Sequence, residues 1–260
     1  MQLVTYTKSG NGPEPLLAFH GIGQDHTAYE PWVKLLGDRY TIYAFDLPFH
    51  GMNTKRQVHP ITLDKTQWKQ QISDFLKKEG IVRFSVVGFS MGGRFALTTV
   101  EMLPDQVNKL YLLAPDGILK NPYYTFAVRN RLTRRIFKYV TFNPSLVMKW
   151  TGVGERMKII HPSMSRFVHW MLDSPEKRKR IFLSWVSFRH FHFSLSSLIT
   201  LFNRHALPIQ FYMGEFDRMM PPDSVLPLTT KIPTAQRFIL NSGHNHMIEK
   251  TAEFLAQQNP

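Results

Sequence analysis

Phe84-Ser85-Val86-Val87-Gly88-Phe89-Ser90-Met91-Gly92-Gly93-Arg94-Phe95-Ala96-Leu97 runs an apolar stretch, a glycine-flanked serine and the start of a helix together without a break. A serine in a sharp strand-to-helix turn needs neighbours without side chains two positions to either side, and Gly88 and Gly92 supply them. Its hydroxyl then stands clear of the backbone, facing a substrate. A bare Gly-x-Ser-x-Gly arises often by chance, so the reading depends on what else the chain carries.

Three further stretches carry it. His20-Gly21-Ile22-Gly23 closes the apolar run Leu16-Leu17-Ala18-Phe19, where a loop brings a backbone N–H towards a developing oxyanion. Gly214-Glu215-Phe216-Asp217 ends the strand-like Ile209-Gln210-Phe211-Tyr212-Met213, and Ser242-Gly243-His244 follows Arg237-Phe238-Ile239-Leu240. Serine, acid and histidine thus come in the order Ser, Asp, His, each just past an expected strand.

Short apolar runs alternate with amphipathic, helix-length segments, the pattern of βαβ units around a parallel sheet. Strands are expected over residues 4–7, 16–20, 41–46, 84–88, 109–113, 209–213 and 236–240, with helices over 29–36, 63–79, 91–103 and 223–230 and a short one after His246. The fold class is therefore α/β, one doubly wound and mostly parallel sheet. The core takes residues 1–117 and 206–260. Residues 118–205 lack strand alternation and place basic and aromatic side chains at helical spacing, as in Arg131, Arg134, Arg135 and Lys138 beside Phe126, Leu132, Ile136 and Phe137. This segment reads as a helical cap inserted at the carboxyl ends of the strands, where such sheets hold their sites.

The chain has 260 residues, 43% of them hydrophobic and 20% charged, which suits a globular protein with a sizeable core. It has no cysteine, so disulfides, thiolate catalysis and Cys-ligated metal centres are excluded. Met1-Gln2-Leu3-Val4-Thr5-Tyr6 lacks a basic segment followed by a long apolar one, and no apolar run is long enough to span a bilayer, so a cytoplasmic protein without a leader is expected. The net charge of +13 is localised: residues 118–205 hold 16 Lys/Arg against 3 Asp/Glu, while the remainder holds 16 of each. That excess has several readings: a solvated helical face, attraction to an anionic or lipid-like acyl substrate, or peripheral contact with an anionic membrane, with Trp150, Phe167, Trp170, Phe182 and Trp185 dipping into the interface. Nucleic-acid binding is not expected, since no nucleic-acid motif is present.

With these residues in view the chain resembles the α/β-hydrolase superfamily along its length outside the cap: His20-Gly21, Asp46-Leu47-Pro48-Phe49-His50-Gly51, Gly88-Phe89-Ser90-Met91-Gly92-Gly93, Gly214-Glu215-Phe216-Asp217 and Gly243-His244. The Asp46 segment is close to that superfamily's D-x-P-G-x-G turn, with Phe49 where glycine is usual, a change expected to narrow the pocket mouth. The resemblance implies that Ser90 is the nucleophile, His244 the base and Asp217 the carboxylate that orients it, with the Met91 and Ile22 N–H groups as oxyanion hole. His20 and Gly21 fall at the substrate side, His20 holding the oxyanion loop. Asp116, also just past a strand, is the competing acid, and His246 the competing histidine. Arg94 reads either as a helix residue paired with an acid or as a charge at the pocket wall; the second suits the menaquinone-pathway lyase of this superfamily, which Ser90-Met91-Gly92-Gly93-Arg94 resembles. A third class of reading is a non-catalytic membrane- or partner-binding module on a hydrolase core. No metal or cofactor is expected: His190-x-His192 lacks a nearby carboxylate, and neither G-x-G-x-x-G nor G-K-[ST] occurs.

Overall fold

The computed structural model describes residues 4–56, 58–119, 122–158 and 160–258. Residues 1–3, on which the absence of a leader was read, and Lys120 of the basic segment lie outside them. Alternation of side chains builds the sheet. In β2 (Glu14–Phe19), Leu16 and Ala18 enter one apolar cluster and Leu17 and Phe19 another; in the following strand Ile42 and Ala44 part from Tyr43 and Phe45 in the same way. Both faces are thus buried, as a parallel sheet requires.

Among the described residues seven strands lie in the order β1-β3-β2-β4-β5-β6-β7. They are β1 (Thr5–Ser9), β2, β3 (Tyr40–Asp46), β4 (Phe84–Phe89), β5 (Val107–Leu113), β6 (Ile209–Gly214) and β7 (Ala235–Leu240). Only β1 runs antiparallel, against β3. Because β3 lies to one side of β2 and β4 to the other, the winding reverses between β2 and β4, and their carboxyl ends open a crevice. His20 follows β2 there, and Ser90 follows β4.

On one face, α1 (Glu30–Leu36) packs against the last helix of the chain, with Trp32 Nε1 donating to the Ile248 carbonyl at 3.0 Å. On the other lie α2 (Lys65–Glu79) and α3 (Gly92–Met102). The α2 helix starts two residues later than the sequence pattern suggests because Asp64 serves as its cap, accepting from the Gln67 N–H while Gln67 accepts from the Asp64 N–H. Trp68 of α2 sits edge-on to Phe19 and Phe95 and donates its indole N–H to Thr99 Oγ1 at 2.9 Å.

Among the described residues six helices lie between β5 and β6: α4 (Pro122–Val128), α5 (Arg131–Phe142), α6 (Ser145–Arg156), α7 (Pro162–Leu172), α8 (Pro175–Ser187) and α9 (Leu195–His205). The α8 helix is the spine of the insertion, burying Ile181, Phe182, Leu183 and Val186, and α9 puts Leu198 and Phe202 into the same cluster as the sheet. Of the aromatics offered to a membrane by the sequence, Phe182 is buried and Phe167 and Trp185 face a cavity, while Trp150 is exposed. The chain closes through α10 (Leu226–Thr229) and α11 (Met247–Gln258). No described helix is long and apolar enough to cross a membrane.

Replacing Thr99 by Val keeps the shape but leaves the Trp68 indole N–H unpaired in the core. A loss of about 1–3 kcal/mol is expected, read as a lower urea midpoint at unchanged slope.

Candidate active site

Ser90 adopts φ +49°, the left-handed region that side chains other than glycine rarely enter. Its neighbours make this turn possible by being absent: a Cβ on Gly92 would stand 2.0 Å from the Phe19 carbonyl oxygen, and one on Gly88 2.6 Å from that of Gly92. Backbone bonds lock it. The Ser90 N–H donates to Leu113 O at 3.0 Å, and the Ser90 carbonyl accepts from the Gly93 and Asp116 N–H groups at 2.8 and 2.9 Å.

The loops after β6 and β7 are sewn together by Glu215 N–H to Leu240 O at 2.9 Å and Phe216 N–H to Ser242 O at 3.0 Å. This brings Asp217 and His244 side by side. Asp217 is almost wholly buried; its Oδ1 accepts from the Met219 and Met220 N–H groups at 2.8 and 2.9 Å, and its Oδ2 lies 2.6 Å from His244 Nδ1. His244 Nε2 is 3.0 Å from Ser90 Oγ. With Nδ1–H donating to the carboxylate, Nε2 carries the lone pair that accepts the serine hydroxyl. Of the two candidate acids, Asp217 meets the imidazole. Asp116 instead takes a bidentate pair from Arg94, at 2.6 Å to Nε and 3.0 Å to Nη2. His246 is exposed beside Glu249.

The loop after β2 turns at Gly21-Ile22-Gly23-Gln24, closed by Gln24 N–H to Gly21 O at 3.3 Å, with Gly23 at φ +81° as a type II turn demands. His20 braces it from beneath. Its Nε2 accepts from the Leu47 N–H at 3.1 Å, so its Nδ1–H donates to Gly21 O at 2.7 Å. Burial lowers its pKa to about 4, which keeps the ring neutral and this tautomer fixed. His20 therefore does not line the cavity; it holds the loop whose Ile22 does. Asp46 grips the next loop, accepting from His26 N–H and Nδ1 through Oδ1 and from Met52 N–H through Oδ2. Asp25 lies beside this pair and caps its own turn, its Oδ1 accepting from the Thr27 N–H and hydroxyl.

Ile22, Ser90 and Met91 border one cavity of about 100 Å³, closed over by Phe167, Met171 and Trp185 from the insertion and by Met219 and Met220 from the core. Met91 is the N-cap residue of α3, at the helix end where amides have no intrahelical partner. Arg94 is at the cavity wall, but its charge is met by Asp116 and its plane lies 4.2 Å from the Tyr124 ring centre. Phe49 does not narrow the mouth. It is buried at φ +70°, 6.0 Å from the Phe188 ring, where it supports the insertion from below.

A family model described as alpha/beta hydrolase fold matches residues 14–251. The chain belongs to that family. Among curated proteins it is 23% identical over 254 residues to an uncharacterized hydrolase, YugF, of Bacillus subtilis, covering 95% of this chain and 88% of that one. It is 34% identical over 139 residues to the dihydrolipoyllysine-residue acetyltransferase component of the acetoin cleaving system of Cupriavidus necator, covering 53% of this chain and 36% of that one. The chain spans about a third of the length of several curated relatives it matches. A thermophilic esterase from Thermogutta terrifontis superposes with a TM-score of 0.71 at 20% identity, over 98% of this chain and 90% of that one.

In this alpha/beta hydrolase two parts of the site escaped the sequence reading. The Met219 and Met220 amides that hold Asp217 follow it within three residues, a local signal for an Asx-type turn. Tyr124, at the wall beside Arg94, carries no such signal, because its partner is 30 residues away in the chain.

His50 shares the fate of His20: burial, then the cost of a second positive charge beside His20, push its pKa well below the ordinary range. Both rings stay neutral in the fold but bind protons when unfolded, so the unfolded chain holds more protons between the two pKa values and stability falls as pH drops. For His20 the window runs from about 6.5 down to about 4, with ~3 kcal/mol lost across it. Urea unfolding followed down this range should show the decline setting in above the region where carboxylates titrate.

Proposed function

We propose that the protein is a serine hydrolase of carboxylic esters. The observation that carries this reading is the continuous hydrogen-bonded chain from Ser90 Oγ through His244 to the buried Asp217. Ser90 Oγ attacks the ester carbonyl as His244 Nε2 takes its proton. The oxyanion is held by the N–H groups of Met91 and Ile22, each worth on the order of 3 kcal/mol in the transition state. Collapse breaks the C–O bond, and His244 returns the proton to the departing alcohol. Water, giving a proton to His244, then attacks the acyl-Ser90 ester and releases the acid, and Ser90 regains its proton. Asp217, held by two backbone amides, keeps the imidazole in the required tautomer.

The cavity supports a short apolar acyl group. At about 100 Å³ it is smaller than the roughly 150 Å³ apolar cavity that admits benzene, and its methionines make an adaptable wall. The Thermogutta terrifontis protein, an esterase by name, is compatible with the same class of reaction. Elimination on a multiply carboxylated substrate gains no support from Arg94, whose charge is already met by Asp116.

With p-nitrophenyl esters from acetate to palmitate, turnover should peak at short chains. Ser90→Ala should lower kcat by at least about 10⁴, and Asp217→Asn by a similar factor through the wrong histidine tautomer. The double variant Ser90→Ala/His244→Ala should be no worse than Ser90→Ala alone. Undiminished ester turnover in Ser90→Ala would overturn the assignment.

A further inference from the structure

Arg94 and Tyr124 form a wall with two sides. One faces the Ser90 cavity; the other faces a groove of about 610 Å³ between α4, α5 and the stretch that follows α8. Arg129, Arg134, Arg189, His190 and His192 line this groove together, and among the described residues no carboxylate does. Among the described residues none of these five is in an ion pair.

The two half-buried guanidiniums are set in place by the backbone: Arg134 Nη1 donates to the Val128 carbonyl at 3.1 Å and Arg189 Nη1 to that of Val186. One nitrogen of each fork is thereby fixed while the rest of the fork remains. The cations also feel one another. Burial and then Arg134 lower the Arg189 pKa, and burial, Arg189 and His192 lower that of His190. The acids within range are Asp116, already taken by Arg94, and Asp64, which acts on His190 from the start of α2. A solvated charged face intersperses both signs on a convex surface. Here like charges gather in a hollow, an arrangement that repels itself until an anion enters.

We infer that the groove binds a phosphoryl group, the anionic head of a substrate whose acyl ester lies across the Arg94–Tyr124 wall at Ser90. Paired guanidinium forks match the oxygens of phosphate, and several cations match its multiple charge. The anion site stands on the groove alone; its coupling to an acyl ester rests on the hydrolase reading above.

Calorimetric titration of inorganic pyrophosphate into Ser90→Ala protein tests the site without turnover. Saturable binding is expected, weakened about tenfold or more in Arg134→Gln and in Arg189→Gln, retained in part in Arg189→Lys, and unchanged in Arg131→Gln, an exposed α5 position outside the groove. Absent binding, or binding indifferent to Arg134 and Arg189, overturns the site. Sedimentation with phosphatidylglycerol vesicles separates the sources: vesicle binding without pyrophosphate binding assigns the groove to a lipid surface and overturns the small-molecule reading. For the coupling, a short-chain acyl glycerol phosphate should show a lower KM than the neutral acyl glycerol, an advantage lost in Arg189→Gln and kept in Arg131→Gln. Equal KM values for the two esters overturn the coupling while leaving the anion site. Pyrophosphate binding with no ester turnover at all would instead mark the failure of the hydrolase reading.

Discussion

The geometry of Ser90 governs the rest of the site. A non-glycine residue at φ +49° costs on the order of 1–3 kcal/mol and persists only where its surroundings over-determine it. Here they do so from both sides of the turn. Gly88 and Gly92 let the strand, the helix and the Phe19 carbonyl crowd together. The exit of β5 is bent as well: Ala114 is at φ +41° with its N–H on Tyr212 O, and this bend brings the Asp116 amide onto the Ser90 carbonyl. The Asp116 carboxylate then holds Arg94, one turn into α3. One residue thus ties the neighbouring strand to the turn through its backbone and to the helix through its side chain.

The loop after β2 faces a different problem, because it carries Ile22 to the cavity edge without regular secondary structure to stiffen it. Hydrogen bonds from both sides of the turn supply the rigidity. Gly21 donates to Gln24 Oε1 and accepts from both Gln24 N–H and His20 Nδ1, and His20 in turn holds the loop after β3 through Leu47. A charged His20 would lose its acceptor at Nε2 and with it the link to Leu47. Its low pKa is therefore a condition for the loop's shape.

How much of this was legible followed from the range of the interactions. Period-two apolar runs give the strands, because burial on both faces is decided residue by residue along each one. The Ser90 turn was legible for the same reason: its demands fall on Gly88 and Gly92, two positions away. Phe49 was misjudged because its left-handed backbone, tolerated where glycine is usual, aims the ring at Phe188 of the insertion, a partner the chain order does not reveal. Arg94 was left between two readings for a like reason, since pairing with Asp116 depends on how β4 and β5 lie in register. The charge excess was visible as a count, but the count could not tell a solvated face from a hollow; α5 alone sends Arg134 to the groove and leaves Arg131 and Arg135 exposed.

The wall between the two hollows shows why Arg94 has to be paired. An unpaired guanidinium beside a cavity of methionines and aromatics would draw water into it, and any apolar group would enter only by stripping the charge. Asp116 removes that penalty by neutralising Arg94, and the Tyr124 ring covers the guanidinium plane. Across the wall Arg134 and Arg189 form no ion pair among the described residues and keep their field. A single ion pair thereby separates an apolar compartment from a cationic one over the thickness of one side chain. That polarity is written into the division of the chain itself: the core, with equal numbers of acidic and basic residues, supplies Ser90, Asp217 and His244, while the insertion, with its excess of cations, supplies the groove and the roof.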